Sequence, residues 1–433
     1  MNNYMRIPFF NNSLVSKFLL LFVTGVPGLY KLVILFSIKY SYEDHTVGVY
    51  VNDTSVALVL GFFTYVNISQ YVVKDIPLLQ NEEKHSFLNI LMKQTLKYAF
   101  VGFLIGLILA WLKIVQDIYG FTVFLFFSSF YYVLRYYYIV ERAYFKLLIF
   151  EMILLTVSLA NVFLSSPTWL LTLNGISFAV FDIIVFIDLK LYRYKSNNIR
   201  LSKIVSAKQL FHYGLLNITA SGLYLCLPAL SFHMLPVSYT VLIGIVNNVT
   251  SVLLLFTRSV SYHYSPLLAK TKNNSDILSI HLGKFKKNLV ILLFAGSVIC
   301  VASVFLISEL KNDTGLLSLN HAVTIIILFI LMITVNQFSL PSSSLLVILN
   351  QEINMLKSNI LQTLVFILAV FLLLDIFNAD NVIKFDAILL VLIVTSLLRN
   401  IYLIHLEKKT LLNMNLFSKP GNTVVITSDT LVK

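Results

Sequence analysis

KLYRYKSNNIRLSKIVSAK, residues 190–208, is the longest polar linker between apolar runs in this chain, and it carries six lysines and arginines and no acid. Apolar runs follow one another on both sides of it. Crossing some 30 Å of hydrocarbon takes about 20 apolar residues in a helix. Measured outward from the linker with that length, the sequence contains spans at 14–38, 51–73, 97–116, 119–140, 146–164 and 168–188 before it. After it come 210–232, 238–261, 288–308, 322–346, 358–377 and 385–406. The linker therefore divides about twelve expected helices into two sixes. The expected fold class is an all-α polytopic membrane protein with a six-helix lobe over 1–189, a cytoplasmic linker over 190–208, a second lobe over 209–406 and a cytoplasmic tail over 407–433.

The composition demands the same solvent. Of 433 residues 58% are hydrophobic and 12% charged, whereas soluble chains carry about 25% charged residues. The net charge of +12 does not point to nucleic acid, because the basic residues sit in short segments between apolar runs, where they meet lipid headgroups and set orientation. One set of loops holds Lys74, Lys84, Lys93, Arg142, Lys146, the linker, Lys270, Lys272, Lys284, Lys286, Lys287, Lys408, Lys409 and Lys419; the alternate set offers Lys39, Lys311 and Lys384, with Lys113 close by. That asymmetry places both termini in the cytoplasm. Cys226 and Cys300 both fall inside apolar runs, so neither a disulfide framework nor a thiolate metal site is indicated. The first run is too long for a signal-peptide core and lacks a small-residue cleavage pattern, so it is read as a span. There is no glycine-rich phosphate loop, the histidines are scattered, and no cofactor or metal is expected.

Polar groups at membrane depth are the informative residues, since each is costly in hydrocarbon and usually faces a partner or a wet cavity. Lys31 lies about five turns into the first span, roughly 10 Å from its external end at 1.5 Å per residue; it either snorkels to the interface or lines a cavity. Gly25, Pro27 and Gly28 just before it weaken the backbone ladder, so a broken first helix is expected there. Arg258 is within a turn of the cytoplasmic end of its span, as an anchor or a substrate contact. Asp182 is deep enough to need a partner, as half of a structural pair or as a proton-coupling site. Asn217 and Ser221 lie a turn apart, Asn247, Asn248, Thr250 and Ser251 follow in the next span, and Asn336 and Gln337 precede Pro341; each is either interhelical glue or cavity lining. Arg135 and Glu151 read as interfacial, and Tyr131, Tyr132, Tyr136, Tyr137 and Tyr138 as an interfacial belt.

The turn Tyr42-Glu43-Asp44-His45-Thr46-Val47-Gly48-Val49-Tyr50, the stretch Gly61 to Pro77 through Asn67, Gln70 and Lys74, and in the second half Phe256-Thr257-Arg258 followed by Ser265-Pro266-Leu267-Leu268 resemble the polysaccharide-exporting branch of the multidrug/oligosaccharidyl-lipid/polysaccharide flippase superfamily, most closely Wzx-type O-antigen flippases. The resemblance covers nearly the whole chain. It implies two bundles around a central cavity that opens alternately to each side, and a substrate that is an undecaprenyl-pyrophosphate-linked oligosaccharide carried outward across a bacterial inner membrane. Taken with the polar groups at depth, Lys31, Asn217, Ser221, Asn247 and Gln337, it makes these and Arg258, Asn67 and Gln70 the expected substrate contacts, with membrane lipid and other O-antigen assembly proteins as partners. An O-antigen polymerase and a membrane glycosyltransferase are the enzymatic alternatives, and both call for larger external loops. A drug/cation antiporter of the same superfamily is the remaining one, and it would be expected to bury carboxylates rather than cations.

Overall fold

A computed structural model describes residues 13–194, 205–272, 274–310, 319–349, 351–376 and 379–417. Most of the expected linker and all of the expected tail beyond residue 417 lie outside these, as does the side chain of Arg258. The described residues form helical segments that we number α1 (Ser13–Ser41), α2 (Asp44–Leu78), α3 (Asn81–Trp111), α4 (Ile118–Val140), α5 (Tyr144–Leu164) and α6 (Leu170–Asp188) in the first lobe. In the second they are α7 (Ala207–Leu225 and Leu227–Met234), α8 (Val237–Thr271), α9 (Ser275–Leu310), α10 (Ala322–Ile348), α11 (Glu352–Ile376) and α12 (Asn381–Phe417). Ten are long and apolar enough to cross a membrane, eleven if the bent α7 is one span; α8, with 35 residues, is long enough by length alone. The protein is a multi-pass membrane protein, all-α among its described residues.

Local chemistry sets the helix ends. Gln80 and Glu83 cap α3 reciprocally, and the Asp117 carboxylate accepts the Gly120 N–H at 2.9 Å to start α4. Lys113, Arg142 and Lys190 follow α3, α4 and α6 with φ of 59°, 57° and 50°, the left-handed residue that closes a helix C-terminus. The expected break in α1 is absent: the helix runs without interruption through Pro27. Breaks occur elsewhere. α2 holds a π turn at Phe62–Val66, α7 holds one at Ile218–Gly222 and then bends by 42° before Pro228, and α10 is interrupted between Gln337 and Leu340, just before Pro341. α12 continues as one helix to Phe417, into the stretch expected as tail.

Within the first lobe α4 packs on α3 and α6, and α5 on α1 and α6; within the second, α8 packs on α9 and α10, and α12 on α10 and α11. The lobes meet where α1 and α2 face α7 and α8. Glycines allow this approach. A Cβ at Gly28 would stand 2.8 Å from Ser251 Oγ, and one at Gly244 2.7 Å from Val51 Cγ2. Both distances are shorter than a side chain tolerates, so a Cβ at Gly28 would strike the Ser251 side chain of α8 and one at Gly244 the Val51 side chain of α2.

Candidate functional site

Between the lobes lies a small cavity with about 40 Å³ of room for water-sized groups, partly open to the exterior. Its wall is assembled from five helices: Pro27, Tyr30 and Lys31 of α1, Tyr50, Thr54 and Ser55 of α2, Tyr131 and Tyr132 of α4, Phe178 of α6, and Gly244, Asn247 and Asn248 of α8. Pairs such as Pro27 and Lys31, or Tyr50 and Thr54, share a helix face because four residues make about one turn. The described lining contains one cation, Lys31, several hydroxyls and two amides, and no carboxylate. An ammonium in such a wall attracts anions, while amides and hydroxyls exchange hydrogen bonds with neutral polar groups.

The aromatic part of this wall is held rigidly. The Tyr30 hydroxyl donates to Asn174 Oδ1 and shares a 2.8 Å hydrogen bond with Ser158, and the Asn174 amide donates to the Tyr50 hydroxyl. Tyr132 stacks on Tyr65 with ring centres 4.3 Å apart and meets Tyr131 edge-on. Behind Tyr131, Arg135 Nε donates to Glu151 at 2.7 Å and its Nη2 donates to the Val23 carbonyl at 2.6 Å. Two expectations are thereby corrected. Arg135 and Glu151 are a buried pair, with side chains 6% and 1% exposed, because α4 and α5 bring them together sixteen positions apart. Tyr131, Tyr137 and Tyr138 are buried rather than interfacial, because that face of α4 turns into the first lobe.

The residues singled out from the sequence do not all converge. Lys31 and Asn247 line the cavity together. Asn67 is fully buried and bridges the lobes, its amide donating to the Phe63 and Leu210 carbonyls. Gln70 lies in a separate cleft with Tyr71, Lys74, Asp75, Gln209 and Tyr213, where the Tyr71 hydroxyl donates to Gln209 Oε1 at 2.9 Å. Asn217 donates to the Tyr213 carbonyl, and Ser221 sits in the π turn that follows, which displaces it from the face a regular helix would give it. Gln337 accepts from Thr257 at 3.2 Å, beside Arg258, whose side chain is outside the described residues. Asp182 is in α6, outside the described cavity lining, with neither carboxyl oxygen hydrogen-bonded. The described residues contain no group of three or more histidines, cysteines or acids able to hold a metal.

Several polar residues escaped the sequence reading. Asp53, fully buried, accepts the Gln116 and Asp117 N–H groups at 3.0 and 2.7 Å and the Asn52 amide at 2.7 Å, pinning the α3–α4 turn. Asn174 organises Tyr30 and Tyr50. Arg399, 6% exposed, lies inside the second lobe. Asp53 and Arg399 carried a usable signal, an ionisable residue within an apolar run; the role of Asn174 has no such mark.

This architecture defines a multi-pass helical protein with a polar cavity between two lobes. No family model and no curated protein matches the chain, but solved structures do. The eukaryotic MATE transporter AtDTX14 superposes with a TM-score of 0.61 at 14% identity, over 93% of this chain and 97% of that one. An outward-facing multidrug resistance MATE transporter of the MOP superfamily gives 0.57 at 10% identity over 93% and 96%. A MOP superfamily transporter from Pyrococcus furiosus, described as having a binding pocket of reversed polarity that suggests a different function, gives 0.53 at 11% over 92% and 95%. The chain therefore has the fold of the MATE transporters of the MOP superfamily.

Proposed function

We propose that this protein is a transporter, and specifically a flippase that moves undecaprenyl-pyrophosphate-linked O-antigen repeat units from the cytoplasmic to the outer face of a bacterial inner membrane. The observation that carries the reading is the cavity wall: one lysine, two asparagines, hydroxyls and tyrosines, without a carboxylate among the described lining. The substrate's polar sugars and pyrophosphate cannot enter hydrocarbon, while its polyprenyl tail can remain there. A lysine suits the anionic head through charge-assisted hydrogen bonds. Amides and hydroxyls suit the sugars, and membrane potential favours outward movement of an anion by about 2.3 kcal/mol per charge per 100 mV. Lys31 and Asn247 are the contacts we assign in the cavity, with Arg258, Gln337, Asn67, Gln70, Asn217 and Ser221 further along the path and Asp182 as a coupling group.

Export of drugs or cations is the second reading. The multidrug MATE neighbours share the fold, and a wall of tyrosines also holds cations over its ring faces. Deletion of the gene in its source strain separates the two. The flippase reading expects lipid A core without long O-chains, restored by the gene in trans, and unchanged efflux of a cationic dye such as ethidium. Normal O-chains with lost dye efflux would establish the antiporter, and core capped by a single repeat unit would point to a polymerase.

A further inference from the structure

A second hollow lies on the seam between the lobes and shares no lining residue with the cavity that contains Lys31. Gln70, Tyr71, Lys74 and Asp75 near the end of α2 and Gln209 and Tyr213 near the start of α7 form a partly open cleft with about 160 Å³ of room for water-sized groups, against about 40 Å³ in the cavity. Gln70 with Lys74, Tyr71 with Asp75, and Gln209 with Tyr213 are each four positions apart, about one helical turn, so each pair shares a face. The lysine and arginine asymmetry of the sequence makes this the end of the seam expected to face the cytoplasm.

Part of this cleft is scaffold and part is free. The Tyr71 hydroxyl donates to Gln209 Oε1 at 2.9 Å and accepts the Ser206 N–H at 3.2 Å, and its ring meets that of Tyr213 edge-on with centres 6.2 Å apart. The Tyr213 hydroxyl, the Gln209 amide nitrogen and the side chains of Gln70, Lys74 and Asp75 make no hydrogen bond or close ion pair with another described residue. These free groups are mixed in kind: Lys74 only donates, Asp75 only accepts, and Gln70 and Tyr213 do both. Lys74 and Asp75 are adjacent and cancel in charge, so the wall favours neither a pyrophosphate nor a cation. All six lining side chains end in polar groups, so a hydrocarbon chain gains little there. The complement is a neutral, compact body with donors and acceptors side by side. A sugar ring has that character, because each hydroxyl donates and accepts, neighbouring hydroxyls engage a carboxylate or carboxamide at two points, and the C–H face packs on a tyrosine ring. At 10–15 Å³ for each water-sized group such a cleft holds on the order of ten of them, close to the size of one hexose.

We propose that this cleft is a carbohydrate-binding site that takes one neutral sugar residue of the repeat unit at the cytoplasmic mouth of the path, with Asp75, Gln70 and Tyr213 as its specificity-determining contacts. The inference rests on the flippase reading for the source of the sugar and on the cleft for its chemistry. Recognition of the sugar is thereby separated from Lys31, to which the anionic head is assigned. Because α2 belongs to one lobe and α7 to the other, a sugar seated here touches both lobes, and it is read before the substrate reaches the cavity.

The test uses the full-length protein purified in detergent and, as probe, the repeat-unit oligosaccharide cleaved from the source strain's own O-chains, free of lipid and pyrophosphate. Titration followed by saturation-transfer NMR is expected to show saturable binding, weakened about tenfold in each of Asp75→Asn and Gln70→Ala by the loss of hydrogen bonds. Neither maltose nor sodium pyrophosphate should displace the oligosaccharide. Gln70 is exposed and Asp75 half-buried, so both variants are expected to fold, and an unchanged Tm checks this. A wild type that does not bind the oligosaccharide, variants that bind it as tightly as the wild type, or displacement by maltose or pyrophosphate would overturn the proposal and leave the flippase reading standing. Normal O-chains in the deletion strain would overturn the flippase reading itself, a result separate from the binding titration.

Discussion

Lys31 and Arg399 are both cations within apolar runs, and their surroundings give them different work. Lys31 lines a cavity among tyrosines and asparagines; Arg399 is enclosed by backbone carbonyls and side chains of one lobe. In the flippase reading the charge of Lys31 lowers the desolvation barrier for the anionic head. Lys31→Ala should then lose most O-chain export at normal protein abundance, and Lys31→Arg should retain much of it, since charge outweighs shape at a diffuse phosphate contact. O-chain length profiles and immunoblots of the two strains check this. Full export in a stably expressed Lys31→Ala strain would remove the residue from the mechanism.

At the scale of elements, helices in this bundle are joined by polar ties as well as by apolar packing. The Arg135–Glu151 pair links α4 to α5, and Arg135 also reaches the Val23 carbonyl of α1, so one guanidinium fixes three helices behind the cavity wall. Removing one partner leaves the other buried and unpaired, at a cost of about 3–5 kcal/mol. Arg135→Met is therefore expected to destabilise the purified protein by about that amount, and Arg135→Met combined with Glu151→Leu to recover much of the loss. Unfolding in detergent measures both; equal destabilisation by the single and double variants would show that the pair is not what holds these helices. The π turns have a comparable role. In α2 the turn at Phe62–Val66 brings Phe63 onto Phe211 of α7, with ring centres 6.0 Å apart, where Gly214 leaves the space that a Cβ would take from Phe63.

The whole molecule is two lobes in contact at both ends of the α2–α7 seam. At one end a Cβ on Gly48 would lie 3.3 Å from Phe232 Cε2 of α7 and 2.7 Å from Val237 Cγ1 at the start of α8, and His233 Nε2 of α7 donates to the carbonyl of Ile114 in the α3–α4 turn at 3.3 Å. At the other, Tyr71 bonds to Gln209 and Asn67 to the Leu210 carbonyl. Transport through an interlobe cavity requires at least one end to part. In a protein with Cys226 and Cys300 replaced by alanine, Gly48→Cys with Val237→Cys should form a disulfide under mild oxidation and stop export, and reductant should restore it. The cross-linked fraction on gels and the O-chain profile are read together. Export that continues with the bond fully formed would mean that the lobes do not separate at this face.

Solvent was legible in the sequence alone. Long apolar runs must satisfy their backbone within themselves in lipid, so a multi-pass, all-helical fold and the approximate bounds of its helices follow from local composition. That Lys31, Asn247 and Asp182 are polar groups within apolar runs was legible for the same reason. Tertiary structure alone decided which of them meet. Lys31 and Asn247 are more than two hundred residues apart, and they share a wall because Gly28 and Gly244 let three helices approach. Arg135 found Glu151, and the tyrosines of α4 turned inward, because helix rotation is set by packing against neighbours and not by a residue's own hydropathy. The break fell in α7 and α10 rather than at Pro27, since a proline shows where a helix can be broken, and only surrounding groups such as Ser339, whose hydroxyl donates to the Asn336 carbonyl at 3.1 Å, can satisfy the carbonyls that a break sets free.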